Sequence, residues 1–241
     1  MATARRASSP ASRPRTDENV YLFVPNLIGY TRVVLGAAAL TYMTTHPKFC
    51  TVAYCVSALL DAVDGMAARA LGQTSKFGAI LDMVTDRCMT SCLLCFLASA
   101  YPRFALLFQF LISLDFSSHY IHMYASISSG SSSHKKNTLF IFCAANELFF
   151  VALYVLANYD KPLLPSLTVL PSPLLHLILS LPVPAIRVIE HLSWPQVVAA
   201  VTCPIMVGKQ IINVVQFCKA AKMLTESDQE DRYAAQHAKA R

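Results

Sequence analysis

The sequence predicts an all-α integral membrane protein, built as a bundle of six transmembrane helices. Of its 241 residues, 55% are hydrophobic and only 14% are charged, compared with roughly 25% charged residues in soluble domains. The mean hydropathy is +0.45. A soluble core of this size could not bury so much apolar surface. The composition therefore excludes a soluble nucleotide-binding domain, a secreted disulfide scaffold and a disordered regulator.

Six apolar runs are long enough to cross a bilayer, which takes about 20 residues per helix. They lie at about 21–44, 49–71, 78–100, 103–125, 138–159 and 196–218. Gly72 is expected to end the second helix. We expect a disordered cytosolic tail over 1–18, a membrane domain over 19–222 and a polar cytosolic tail over 223–241. Inside the membrane domain, the proline-rich segment 160–195 is interpreted as a loop or a re-entrant segment.

The distribution of basic residues predicts the orientation of the bundle. Six spans place both termini on one side, which carries thirteen Lys and Arg residues against four on the other side. By the positive-inside rule, both termini and the even-numbered loops face the cytosol. The arginine-rich start also fits an organelle transit peptide, but a tail is favoured because the segment is short and runs directly into a span. The basic residues are scattered, so no nucleic-acid partner is expected.

Four aspartates interrupt the second and third apolar runs: Asp61, Asp64, Asp82 and Asp86. An acid inside a membrane helix costs roughly 2.5–3.5 kcal/mol and usually faces a protein interior or a wet cavity. Each pair has helical spacing, and the short link between the runs predicts antiparallel neighbouring helices. That arrangement puts Asp61 at the depth of Asp86 and Asp64 at the depth of Asp82. We therefore expect the four carboxylates to converge.

A cluster of four carboxylates requires cations, since two unit charges about 4 Å apart repel by roughly 4 kcal/mol at an effective dielectric of 20. Hard carboxylate oxygens without His or Cys nearby select Mg²⁺ or Mn²⁺ rather than zinc. Two such ions would balance the four charges, and a two-metal site suits in-line displacement at phosphorus. The small residues Gly65, Ala68 and Gly78 would give a substrate access to the helix backbones, or would serve helix packing.

The spacing of these residues resembles the signature of the CDP-alcohol phosphatidyltransferases. All eight positions are present, as Asp61-x2-Asp64-Gly65-x2-Ala68-Arg69-x8-Gly78-x3-Asp82-x3-Asp86. The resemblance implies the six-helix fold of that family and the displacement of CMP by an acceptor hydroxyl. It also implies that Asp61 and Asp82 contact both metals, Asp64 one, and Asp86 the other, with Asp86 as the general base. The CDP-diacylglycerol headgroup would then contact Gly65, Arg69 and Ser75.

Flanking segments resemble the phosphatidylinositol-forming members of that family. They are VPNLIGYTR at 24–32, SLDFSSHYIHMY at 113–124, Ser-His-Lys at 133–135 and Asn-Glu-Leu-Phe at 146–149. The resemblance implies that myo-inositol is the acceptor, and that the enzyme is a homodimer in the endoplasmic reticulum membrane.

Several polar residues on the other spans have two interpretations each. One helical stripe on the fourth span would contact inositol or form a polar seam between helices: Asp115, Ser118, His119 and His122. Asn146 and Glu147 on the fifth span have the same two interpretations. Asn26 and Arg32 would close the nucleotide pocket or anchor the first helix at the membrane surface.

Other functions remain open from the sequence. The same chemistry could use glycerol phosphate, serine or choline as the acceptor. The connection between the fourth and fifth spans is shorter than the family pattern, which would fit an inactive variant. Intramembrane prenyltransferases also use aspartates and Mg²⁺. A cation transporter could use the four acids as its ion path.

Overall fold

The computed structural model describes residues 18–129, 136–159 and 192–239, with the single positions 172, 180 and 182. These ranges contain no β-strand and six long α-helices: α1 Val24–Thr41, α2 Pro47–Ala70, α3 Lys76–Ala100, α4 Ala105–Ser129, α5 Lys136–Asn158 and α6 Trp194–Lys239. Each predicted apolar run corresponds to one of these helices, so the all-α prediction is confirmed. The tail over 1–17, the Ser-His-Lys stretch and most of 160–195 lie outside the described residues.

Four of the described helices are long and apolar enough to cross a membrane. They are α2, α4 with the turn before it, α5 and α6. Large apolar side chains point outwards from the bundle, among them Leu59, Leu106 and Val201, as expected where lipid is the solvent. The chain is therefore a membrane protein, and the part of it that the structure describes is helical. The other two described helices, α1 and α3, carry Arg32, Asp82 and Asp86, and the count of six spans stays a prediction.

The turn between α2 and α3 sets the position of the acids. Gly72 follows the last turn of α2 with φ +66°, the left-handed conformation that glycine adopts without strain. Ser75 caps α3, because its hydroxyl accepts a hydrogen bond from the Gly78 backbone N–H at 2.9 Å. The turn brings the acids of the two helices towards each other as predicted. The expectation that α2 and α3 are packing neighbours is wrong, however, because α1 packs against both of them and few contacts join α2 directly to α3.

An apolar core occupies the part of the bundle away from the acids. It includes Leu93, Leu94 and Leu97 on α3, which are at most 2% exposed. Tyr154 on α5 joins this core, and its hydroxyl donates to the backbone carbonyl of Met43 at 2.6 Å. This packing fixes α2, α3 and α5 at one end, so that their polar ends are held in a defined arrangement.

The last helix is longer than the predicted span. α6 continues to Lys239 with Pro204 inside it. The expected polar tail over 223–241 is thus helical as far as it is described, and its side chains are largely exposed. Lys222 and Glu226 form an exposed i,i+4 ion pair at 3.7 Å, which adds little stability.

Candidate active site

The four predicted aspartates converge on one cation, the guanidinium of Arg32 on α1. Its Nη2 lies 2.6 Å from Asp61 and 2.5 Å from Asp86. Its Nη1 lies 2.8 Å from Asp64 and 2.6 Å from Asp82. Each guanidinium nitrogen thus contacts one acid of α2 and one of α3, in the same pairs that the length of the link predicts. The predicted convergence of the four carboxylates is present in the structure.

The donor set of this cluster fits a hard divalent cation. One carboxylate oxygen from each of Asp61, Asp64 and Asp82 lies within 4.8 Å of the others. The four carboxylates outnumber the cations beside them, which are Arg32 and, 3.6 Å from Asp86, Arg87. Further cations would offset the remaining negative charge. The Asp82 side chain is 46% exposed, so an ion can reach the cluster from outside. Oxygen-only ligands of this kind suit Mg²⁺ or Mn²⁺.

A pocket of about 280 Å³, the polar pocket, opens on the Asp64 and Asp82 side of the cluster. It brings together all three residues predicted to contact the headgroup, and its lining includes Asn26, Gly65, Arg69, Ser75 and Gly78. The Arg69 side chain is exposed and forms no ion pair within the described part of the chain. Its guanidinium is therefore available to an anionic ligand.

Asn26 accounts for the glycine at position 78. A Cβ atom on Gly78 would lie 2.5 Å from the Asn26 side-chain oxygen and 3.0 Å from the Ser75 hydroxyl. Asn26 is 1% exposed, and its amide nitrogen donates to the Val20 carbonyl at 2.6 Å. Gly78 thus permits close approach of α1 to α3. The interpretation of Asn26 as a residue that closes this pocket agrees with its position there.

A larger cavity of about 400 Å³, the apolar pocket, lies on the Asp61 and Asp86 side, between α2, α3 and α5. Its wall is mostly apolar, with Leu59, Met89 and Val151 among the lining residues. The acid cluster therefore lies between two pockets, one polar and one largely apolar.

Glu147 lies at the polar end of the apolar pocket. Its carboxylate accepts hydrogen bonds from the hydroxyls of Tyr54 and Thr90, both at 2.7 Å. The neighbouring Asn146 side chain accepts from the Gln210 amide at 2.9 Å. Both residues therefore join helices, which favours the polar-seam interpretation for this pair.

The polar stripe of α4 is bonded mainly to α3 and α6. Asp115 accepts two hydrogen bonds from Arg87, at 2.9 and 2.8 Å. Ser118 is fully buried and contacts the Asp115 backbone carbonyl at 3.0 Å, and the His119 ring lies 2.8 Å from the same carbonyl oxygen. His122 is exposed. Asp115, Ser118 and His119 thus form a seam, and among the described residues Arg87, 3.6 Å from Asp86, connects it to the acid cluster.

Sequence reasoning missed Arg87 and the polar residues of α6. Lys209 is 2% exposed, lies 2.5 Å from the Asn213 side-chain oxygen and approaches Asp115 at 4.0 Å. Asn213 also donates to Asp115 at 3.3 Å. A lone lysine inside an apolar run, with an amide one turn later, is the signal that could have revealed this seam. Arg32 was noted in the sequence, but its place among the acids was not predicted.

Comparisons with known proteins agree with this geometry. The sequence model of the CDP-alcohol phosphatidyltransferase family matches residues 22–206. The chain is 52% identical over 235 residues to the CDP-diacylglycerol–inositol 3-phosphatidyltransferase of Schizosaccharomyces pombe, covering 91% of this chain and 95% of the relative. It is 39% identical to the proteins of that name in Rattus norvegicus and Homo sapiens, covering 90% of this chain and 97% of each relative. No solved structure is significantly similar. The chain belongs to the CDP-alcohol phosphatidyltransferase family.

Proposed function

We propose that the protein transfers the phosphatidyl group of CDP-diacylglycerol to myo-inositol, which yields phosphatidylinositol and CMP. The convergence of Asp61, Asp64, Asp82 and Asp86 from two helices is the observation that carries this proposal. The relatives that align over about nine-tenths of both chains bear the name of this activity. No observation favours another acceptor, an inactive variant or a cation transporter.

The four aspartates would hold two Mg²⁺ or Mn²⁺ ions. Asp61 and Asp82 would contact both, with Asp64 and Asp86 contacting one each. The contacts of Arg32 support the placement of Asp64 and Asp86 at different ions, since each of the two contacts a different guanidinium nitrogen. When bound, the ions would polarise the phosphate oxygens and offset the negative charge that develops during displacement.

The polar pocket would bind the headgroup of CDP-diacylglycerol. The amino end of α3 lines this pocket at Ser75 and Gly78, and the positive end of its helix dipole there suits a phosphate. Arg69 would supply a cation for the pyrophosphate, and Ser75 can donate its hydroxyl proton because its oxygen caps Gly78 as an acceptor. Gly65 leaves this wall open, since a Cβ there would meet only the Arg69 side chain, at 3.5 Å or more.

The apolar pocket would receive the acyl chains, which enter sideways from lipid between the helices. At its polar end, Asp86 would take the proton from the attacking hydroxyl of inositol. The hydroxyl oxygen would then bond to the phosphorus next to diacylglycerol while the bond from that phosphorus to CMP breaks. Displacement in line requires the nucleophile and the leaving group on opposite sides of phosphorus. The two pockets on either side of the acids support that arrangement.

The acceptor contacts, the topology and the assembly are part of the same proposal. The α4 stripe of Asp115, Ser118, His119 and His122 would contribute to inositol binding. It would do so directly, or by holding Arg87 in the wall of the apolar pocket. The membrane domain over 19–222 would cross the bilayer six times, with both tails and the active site facing the cytosol. The enzyme would act as a homodimer in the endoplasmic reticulum membrane.

One assay tests this function directly. The purified protein in vesicles receives CDP-diacylglycerol, radiolabelled myo-inositol and Mg²⁺ or Mn²⁺, and labelled lipid and CMP are measured with and without a chelator. We expect equal amounts of phosphatidylinositol and CMP, and neither with the chelator. Parallel reactions with glycerol phosphate, serine and choline identify the acceptor. Ion flux across the vesicle membrane without CMP release would contradict the proposal.

The base assignment has its own test in Asp86→Asn. This variant keeps an oxygen ligand but loses the basic carboxylate, so turnover should be abolished while Mn²⁺ binding is partly retained. Turnover like that of the unaltered protein would defeat the assignment of Asp86 as the base. Complete loss of Mn²⁺ binding together with turnover would reduce its role to that of a metal ligand.

A further inference from the structure

Arg32 is the residue of the acid cluster that the proposed reaction does not use. Its side chain is 3% exposed, and its two terminal nitrogens contact all four aspartates at 2.5–2.8 Å. Its Nε has no hydrogen-bond partner in the described part of the chain. A buried arginine normally engages one or two carboxylates. Here a single guanidinium joins α1 to four acids on two helices.

The contacts of Arg32 involve the oxygens that divalent ions would use. Asp61, Asp64 and Asp82, whose oxygens are close enough to share an ion, all contact the guanidinium at 2.6–2.8 Å. A guanidinium among ions of charge two would be repelled twice as strongly as by a unit charge at the same distance. The arginine and two divalent ions therefore compete for one set of ligands.

The chain leaves room for Arg32 to move. Its side chain lines the apolar pocket of about 400 Å³, beside Asp61 and Asp86. The backbone near it is held independently, because the Ser57 hydroxyl contacts the Arg32 carbonyl at 3.3 Å. A rotation of the side chain towards the pocket would take the guanidinium away from Asp64 and Asp82 and towards Glu147, which also lines that pocket, while α1 stays packed on α2.

We propose that Arg32 is an internal counter-cation, which holds the four carboxylates in place until divalent ions displace it. This inference rests on the proposed function, because it takes the four aspartates as the metal ligands. Arg32 is then a positioning residue: it prevents the acids from repelling one another apart, and metal binding is an exchange of one cation for two. The arginine that holds the carboxylates together before metal binds would thus also weaken metal binding.

A Mn²⁺ titration of Arg32→Gln tests the exchange. Free Mn²⁺ is followed by electron paramagnetic resonance while the detergent-purified protein is titrated. Without the competing cation, the apparent Kd for Mn²⁺ should fall by about tenfold or more, equivalent to about 1.4 kcal/mol. The control is Arg103→Gln, which removes the same charge at an exposed position in the turn before α4. Its Kd should equal that of the unaltered protein.

A stability measurement tests whether Arg32 holds the four carboxylates together in the absence of divalent ions. In chelator, Arg32→Gln should melt at a lower temperature than the unaltered protein, because Asp61, Asp64 and Asp82 then lack a cation and Asp86 keeps only Arg87, at 3.6 Å. Mn²⁺ should reverse the difference. If Arg32→Gln is obtained only in the presence of Mn²⁺, that dependence is itself the expected result. Arg32→Lys keeps the charge but cannot contact all four acids. Its apparent Kd for Mn²⁺ and its melting temperature in chelator should therefore lie between those of Arg32→Gln and the unaltered protein.

The outcomes separate this inference from the proposed function. If the unaltered protein binds no Mn²⁺, the metal site of the proposed function fails. If it binds Mn²⁺ and Arg32→Gln binds it equally or more weakly, the proposed function stands and the counter-cation role of Arg32 is overturned. The counter-cation role would also be overturned if Arg32→Gln and Arg103→Gln had equal melting temperatures in the presence of chelator.

Discussion

Gly78→Ala provides a sharp test of how α1 and α3 form the polar pocket. The added Cβ would lie 2.5 Å from the Asn26 oxygen, which must withdraw by about 0.9 Å to reach an ordinary contact of 3.4 Å. Asn26 is buried and bonded to the Val20 carbonyl, so the movement strains or breaks that hydrogen bond, worth about 1 kcal/mol. Crowding a packed interface adds to this, for a total of about 2 kcal/mol.

The matched control is Gly65→Ala, on the opposite wall of the same pocket. Its Cβ would have no neighbour closer than the Arg69 guanidinium at 3.5 Å, so stability should not fall and should rise by up to about 1 kcal/mol through the higher helix propensity of alanine. Thermal unfolding in detergent should give a melting temperature about 6 °C lower for Gly78→Ala, at about 3 °C per kcal/mol, and no decrease for Gly65→Ala. Both variants should raise KM for CDP-diacylglycerol. Equal melting temperatures for the two variants would refute the close approach of Asn26.

Three further variants test other contacts, each through its melting temperature in detergent. Asp115→Asn should lower the free energy of unfolding by about 3 kcal/mol, because Lys209 stays buried without its anion and Arg87 keeps only the more distant Asp86. A loss below about 1 kcal/mol would contradict the seam. Ser75→Ala should cost about 1 kcal/mol through the lost cap of α3 and should also raise KM for CDP-diacylglycerol; an unchanged KM would exclude its headgroup contact. Gly72→Ala should lower the free energy of unfolding by about 1 kcal/mol, because alanine is strained in the left-handed conformation of this position. Its KM for CDP-diacylglycerol should be unchanged.

The acid cluster could be predicted from the sequence because local rules determine it. The i,i+3 and i,i+4 spacings put each pair of aspartates on one helix face, and a link of a few residues fixes the relative depth of the two helices. Asp61 and Asp86 consequently share one nitrogen of Arg32, and Asp64 and Asp82 share the other. The expected end of the second helix at Gly72 follows from the same kind of local chemistry.

The partners of the cluster could not be predicted, because they come from helices that are distant in the sequence. Nothing in the spacing of Arg32 shows that α1 inserts between α2 and α3. Asp115 was seen as part of a polar stripe, but its bond to Asn213 joins residues 98 positions apart. Which helix faces which depends on packing of the whole bundle, and single apolar runs do not specify their neighbours.

Mn²⁺ stoichiometry tests the central claim, that aspartates of α2 and α3 together hold two divalent ions, most directly. The unaltered protein and Asp61→Asn are each titrated with Mn²⁺ while electron paramagnetic resonance follows the free ion. The account predicts two ions bound per chain, with the spectral broadening of ions that lie close together, and loss of that paired signal in Asp61→Asn. Binding of one ion or none to the unaltered protein, or an unchanged paired signal in Asp61→Asn, would contradict it.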